Sequence, residues 1–269
     1  MNKNFGNNKE QKRNEPVFED FQNPYKVFHH IDKIYELKHT GDTTPIHITI
    51  GLTNFCNHTC PWCYINWNQS GTQSFRSGTD REPPKPIQAD LKIIEALKEA
   101  KQMGLKATTI VGDGEPTLHK RFSYIIDEIA KLEIDIGIFS NMSFKKKEII
   151  DSFVKNFYFV RCSIDACDRK THKESHGLDD WDIVMDNIKE LLDKRGSNKY
   201  PIVGVQYVCN QYNYKQVVEA AEFYERLGVD YLTFKPMYKN ELNPANPNNT
   251  LDNEQIIPQL RLAKKYETT

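Results

Sequence analysis

The run Ile46-His47-Ile48-Thr49-Ile50-Gly51-Leu52 leads directly into Thr53-Asn54-Phe55-Cys56-Asn57-His58-Thr59-Cys60-Pro61-Trp62-Cys63. The first part is rich in β-branched side chains and has no helical period, which predicts a strand over residues 46–52. The second part is a polar loop with three cysteines in C-x3-C-x2-C spacing. Thiolates are soft ligands suited to iron–sulfur clusters, zinc or Cu(I). The fold is therefore read as one that delivers metal chemistry to the carboxyl end of its first strand.

The same grammar repeats downstream. Leu91, Ile93, Ile94, Leu97, Ala100 and Met103 share a helical face that Gly104 closes. Residues 107–111 read as a buried strand ending in Gly112-Asp113-Gly114. Phe122, Ile125, Ile126, Ile129 and Leu132 mark the next helix, and residues 134–139 a strand. A shorter helix over 149–153 and a strand over 158–164 follow, then a helix lined by Trp181, Val184, Ile188, Leu191 and Leu192. Residues 202–208 are a strand, Val217, Ala221 and Tyr224 belong to a helix closed by Gly228, and residues 231–234 are a sixth strand. An Asn/Pro-rich stretch, 240–249, leads to a last helix with Ile256, Ile257 and Leu260.

Six strand–helix units in strict alternation predict an α/β fold with a parallel sheet and right-handed crossovers. A doubly wound open sheet and all or part of a (β/α) barrel both satisfy the pattern. In either, the strands' carboxyl ends and the loops after them build the site. Ahead of the first strand, Tyr25, Phe28, Ile31, Ile34 and Tyr35 have helical spacing. They predict an N-terminal helical extension over 25–45, packed on the outside of the core. Residues 1–24 are polar without a period and read as a flexible tail. The long polar loop 66–86, with Arg76 and Arg81, is expected to act as a lid or substrate contact.

Composition removes several classes of function. The chain has 269 residues with 36 Lys+Arg and 37 Asp+Glu, a formal net charge of -1. It has no global field for nucleic acid or an anionic membrane. Hydrophobic residues make up only 38%, with no run near the ~20 apolar residues of a membrane span. The N-terminus lacks the apolar segment of a secretion signal, so a cytoplasmic protein is expected. Six cysteines in such a chain do not read as a disulfide framework.

Other strand ends carry polar groups. Gly112-Asp113-Gly114-Glu115-Pro116 follows the second strand and Ser140-Asn141-Met142 the third. Alternation puts Ser163 and Asp165 on one side of the fourth strand's end. Read alone, these are turn and cap residues, and Asp165 suits an Asx-turn. Cys209 reads as a small buried hydrophobe or as a hydrogen-atom donor. Lys235 reads as solvated, paired, or reaching an acidic substrate group. Lys145-Lys146-Lys147 reads as a solvated helix start. For the cysteine loop the rival reading is a zinc site with His58 as fourth ligand, although His58 sits close in sequence to both Cys56 and Cys60.

Cys56-x3-Cys60-x-Trp62-Cys63 after the first strand of a repeated βα chain resembles the radical S-adenosylmethionine (SAM) enzymes. The resemblance covers about residues 46–237. It implies a partial (β/α)6 TIM-like barrel, open on one side, within a domain over 46–269. It implies that Cys56, Cys60 and Cys63 hold a [4Fe–4S] cluster whose fourth iron chelates SAM, with Trp62 near the adenine. Gly112-Asp113-Gly114-Glu115-Pro116 is similar to the family's Gly-Gly-Glu-Pro motif, with Asp113 replacing the first glycine of that motif. The motif implies contacts to the methionine ammonium. Asn141, Ser163 and Asp165 are implied as further SAM or substrate contacts.

The implied chemistry is reductive cleavage of SAM to a 5′-deoxyadenosyl radical, which abstracts a hydrogen atom. The implied partners are a one-electron donor of flavodoxin or ferredoxin type and a peptide or small natural-product substrate. Ser163-Ile164-Asp165-Ala166, with His176-Gly177 downstream, looks like many peptide-modifying members. An RNA-base-modifying enzyme is the alternative within the class. A non-catalytic zinc- or cluster-binding protein is the alternative outside it.

Overall fold

The computed structural model describes residues 24–63, 91–237 and 253–267. The proposed tail over 1–24, apart from its last residue, and the loop 66–86 lie outside them. A 3-10 turn, Pro24–His30, leads into α1 (Ile31–Thr40). The sheet strands are β1 (His47–Ile50), β2 (Ala107–Ile110), β3 (Asp135–Ser140), β4 (Phe159–Ser163), β5 (Ile202–Cys209) and β6 (Tyr231–Pro236). Between and after them lie α2 (Lys92–Gln102), α3 (Phe122–Ala130), α4 (Glu148–Asn156), α5 (Arg169–His176), α6 (Trp181–Arg195), α7 (Val217–Leu227) and α8 (Asn253–Ala263).

The six strands form one sheet in the order β1-β2-β3-β4-β5-β6, and every neighbouring pair is parallel. This order settles the choice between the two architectures. A doubly wound sheet needs a point where strand order reverses. Here the order never reverses, so right-handed crossovers put every connecting helix on one face and the twisted sheet curls away from them. The fold is a partial (β/α)6 barrel, with β1 and β6 as its two edges.

Register is set by one buried row. Ile50 pairs with Ile110, Ile110 with Ile138, Ile138 with Val160, and Val160 with Val203. All five are buried in the core between sheet and helices. Fully burying side chains of this size stabilises by roughly 1.5–3 kcal/mol each, and a one-residue slip would turn a whole strand's set to the other face. Within β4 the buried Val160 and Cys162 alternate with the half-exposed Phe159, Arg161 and Ser163. The Arg161 guanidinium stacks on Phe139 at 4.6 Å and donates to Tyr231 Oη at 2.9 Å.

Two elements differ from the sequence reading. α1 has no buried residue, and Ile31 and Tyr35 are 61% and 64% exposed, so it does not pack on the core through the face its spacing suggested. α5 has no counterpart in the hydrophobic pattern. It buries Thr171, His172, Ser175 and His176, a polar face that an apolar period cannot reveal.

Candidate functional site

The cysteine loop is fastened to three strand and helix ends. From the second strand's end, Glu115 N–H donates to Phe55 O at 2.8 Å. Gly114 permits that contact, since a Cβ there would lie 2.1 Å from Phe55 O. Gly112 is also confined, its Cβ position lying 2.6 Å from Gly114 O. Asp113 points to solvent between them. Beyond the third strand, Asn57 Nδ2 donates to Ser143 O and Oγ, both at 2.9 Å, and Asn141 Nδ2 donates to Asn57 Oδ1 at 2.9 Å. Asn141 Nδ2 also lies 4.0 Å from Cys56 Sγ. From α5, His176 O accepts Thr59 N–H at 2.8 Å. Gly177 follows at φ 73 with its Cβ position 1.8 Å from Thr59 Oγ1, so both backbone angle and space require glycine.

Glu115 ties β2 to β3. Its Oε1 accepts from Thr117 N at 3.1 Å, Thr117 Oγ1 at 2.7 Å and Ser140 Oγ at 2.8 Å, and its Oε2 accepts from Asn141 N at 2.7 Å. Burial raises the Glu115 carboxyl above its ordinary range, and these donors act in the opposite direction. Pro116 opens a 3-10 turn, Pro116–Leu118, which Glu115 caps. Met142 next to Asn141 takes φ 60, a left-handed conformation unusual for methionine.

Asp165 makes no Asx-turn. Its Oδ1 accepts Val208 N–H from β5 at 2.6 Å, and the Trp62 indole N–H donates to the same carboxyl. Burial pushes this carboxyl up to about 7, with the two donors opposing the rise. Ser163 sits one layer below, paired in register with Gln206. Cys162, Cys167 and Cys209 are buried, and burial pushes the thiols of Cys167 and Cys209 up to about 12, as for inert packed thiols. Lys235 is exposed at the edge strand, its ammonium lowered by partial burial and by Arg161.

A buried group behind the loop was not anticipated from the sequence. His58 Nε2 and His172 Nε2 each lie 2.8 Å from an oxygen of Asp180, which also accepts from Ser143 Oγ. The His176 ring packs tilted against both, at ring-centre distances of 5.0 and 4.7 Å. The one available signal was the i,i+4 pair His172 and His176, which shares a helix face.

Cys56, Cys60 and Cys63 are half-buried thiols, none in a disulfide, on one loop at the carboxyl end of β1. Three thiolates on a loop locked against a buried carboxylate suit an iron–sulfur centre with an open coordination position. The protein-family model described as "Radical SAM superfamily" matches residues 50–224, well over half of the chain. The chain belongs to the radical SAM superfamily. The superfamily is one of enzymes, and its cofactors are a [4Fe–4S] cluster and SAM.

The tungsten-containing aldehyde ferredoxin oxidoreductase cofactor-modifying protein of Pyrococcus furiosus is 26% identical over 222 residues, 80% of this chain and 58% of that protein. A probable GTP 3′,8-cyclase of Saccharolobus islandicus is 26% identical over 184 residues, 68% of this chain and 54% of that protein. The chain thus spans little more than half the length of these relatives. Streptococcus suis SuiB bound to S-adenosylmethionine has the same fold, with a TM-score of 0.68 at 19% identity over 91% of this chain and 53% of that one. No helix among the described residues is long and apolar enough to cross a membrane.

The zinc reading finds a different ligand set from the one the sequence offered. His58, Cys60 and His176 bring ligand atoms within 4.8 Å of one another. That trio uses only one of the three thiols, and with His58 Nε2 and His176 Nε2 engaged by Asp180 and by Asp165 N–H, its two rings would have to ligate through Nδ1.

The Asp165 carboxyl gives a pH prediction. Its folded pKa of about 7 exceeds the ordinary 3.8, so the folded state holds the extra proton between those values. Its contribution to stability is complete below about pH 4 and is lost as pH rises through 7. Urea unfolding of the cluster-free protein should show stability falling over that window by as much as about 4 kcal/mol, and Asp165→Asn should flatten that part of the profile.

Proposed function

We propose that the protein cleaves SAM reductively and abstracts a hydrogen atom from a peptide or small natural-product substrate in the cytoplasm. The observation that carries this reading is the seat of the cysteine loop, held on Glu115 through Phe55 O and on Asn141 through Asn57. In this reading Cys56, Cys60 and Cys63 hold the cluster. When bound, the cluster and SAM supply a 5′-deoxyadenosyl radical, and the chain's own residues bind, orient and exclude water.

The turn Gly112-Asp113-Gly114-Glu115-Pro116 offers backbone carbonyls and a carboxylate to the methionine ammonium of SAM. Asn141 and Ser163 contact the cofactor beside it. Trp62 covers the adenine, its ring oriented by the bond to Asp165. Members of the superfamily need a one-electron donor, here of flavodoxin or ferredoxin type. The balanced charge and the likeness of residues 163–177 to peptide-modifying members support the substrate class. SuiB, with the same fold, has been seen bound to a precursor peptide, SuiA.

Anaerobic reconstitution, reduction and SAM addition test the proposal. The expected result is a brown protein that forms 5′-deoxyadenosine, with Cys60→Ala losing the colour and the product while its helical circular dichroism persists. A colourless protein that holds zinc and leaves SAM intact would sink the reading. Deuterated peptide pools should pass deuterium into 5′-deoxyadenosine. Transfer from deuterated RNA alone would move the substrate to nucleic acid.

A further inference from the structure

We propose that His176 is a positioning residue for the cluster: its Nδ1–H donates a hydrogen bond to Cys60 Sγ and makes the centre easier to reduce. The inference rests on the assignment of Cys56, Cys60 and Cys63 as cluster ligands. The tautomer follows from the partners. The backbone N–H of Asp165 donates to His176 Nε2 at 3.1 Å. An amide can only donate, so Nε2 carries no proton and the neutral ring's proton sits on Nδ1. That nitrogen lies 3.3 Å from Cys60 Sγ, within hydrogen-bond reach of sulfur. The other tautomer would set two donors against each other at Nε2 inside a side chain only 3% exposed, and the Asp165 carboxylate, 3.8 Å from Nε2, is beyond hydrogen-bond distance.

The ring is held in this pose from several sides. Its own carbonyl takes Thr59 N–H, and His58 and His172 flank it. His176 therefore grips the cysteine loop through its backbone and addresses one of that loop's sulfurs through its side chain. A donor on a ligating thiolate draws charge from the sulfur, which favours the reduced, more negative state of the centre. Hydrogen bonds to the sulfurs are among the levers that set cluster potentials. A radical SAM centre must take up an electron before it can act on SAM, so the bond bears on the first step.

The test is a redox titration of the anaerobically reconstituted protein followed by electron paramagnetic resonance, with iron and sulfide counted in each sample. His176→Leu removes the donor and should leave about tenfold less of the centre reduced at a fixed potential, a shift of about 59 mV downward. His176→Asn places an amide N–H near the Nδ1 position and should restore most of the difference, whereas His176→Gln, reaching toward the Nε2 position, should not. A His176→Leu protein with its full cluster and an unshifted potential overturns the inference. If that variant fails to hold its cluster, the Asn and Gln variants decide it, equal potentials for the two being the refuting result. Wild type labelled with 15N-histidine should show a histidine nitrogen coupled to the reduced centre, and no such coupling also refutes it. A wild-type protein that binds no iron instead refutes the ligand assignment beneath it.

Discussion

Gly114→Ala should abolish cluster loading and destabilise the cluster-free protein by about 3 kcal/mol or more. The new methyl group would lie 2.1 Å from Phe55 O, 2.5 Å from Phe55 C and 2.6 Å from Asn54 C. All three are backbone atoms, so no side-chain rotation relieves the clash. Either the second strand's end or the cysteine loop must move, and the bond from Glu115 N–H to Phe55 O breaks with it. The loop then loses the anchor nearest Cys56. Thermal unfolding should fall by roughly 6 °C or more, and iron content after reconstitution should drop to background. Gly51→Ala is the matched control. Its added Cβ would meet only Val111 O at 3.5 Å, an ordinary contact, so stability and iron loading should stay near wild type. Normal loading in the Gly114 variant would show that the loop does not depend on this crossing.

The fold was legible because apolar period and strand ends coincide. The isoleucine and valine row from Ile50 to Val203 is what made the strands readable, and their observed limits differ from the reading by a residue or two at the ends. Periodicity left the choice between barrel and doubly wound sheet open, because strand order is a long-range property that no local period encodes; the likeness of the cysteine motif implied the barrel. Cys56, Cys60 and Cys63 could be read from spacing, and Glu115 from its place at a strand end. What they rest on could not. Asn57 and His58, Ser143, and the segment carrying His172, His176 and Asp180 lie far apart in sequence and meet through polar contacts. α5, which supplies two of the histidines, buries a face of threonine, serine and histidine. Hydrophobic periodicity is blind to such a helix, although it is the one that clamps the cysteine loop.

The same blindness hides the second large effect, at Asp180. Its carboxylate is 6% exposed and bridges His58, His172 and Ser143. Burial would push this carboxyl up, but the bonds from His172 and His58, the charge of His58 and the Ser143 hydroxyl hold it well below the usual carboxylate range. Asp180→Ala removes the shared acceptor and leaves two buried imidazole N–H groups facing a void. Among the described residues, both Nδ1 atoms already lack a partner, so a tautomer shift cannot rescue the rings. The cost should be about 3–5 kcal/mol in urea unfolding. Asp180→Asn, which keeps one acceptor, should lose less. The pH dependence has the opposite sign to that of Asp165. A carboxyl whose pKa falls on folding contributes its full stability above its unfolded value of about 3.8 and loses it as the pH drops below that. Wild type should therefore lose stability in acid more steeply than Asp180→Ala does, and parallel acid profiles would contradict the bridge. Because His58 lies inside the cysteine loop while His172 and Asp180 lie on and beyond α5, the variant should also load iron less completely. Full loading with the predicted loss of stability would separate the packing of this bridge from the seating of the loop.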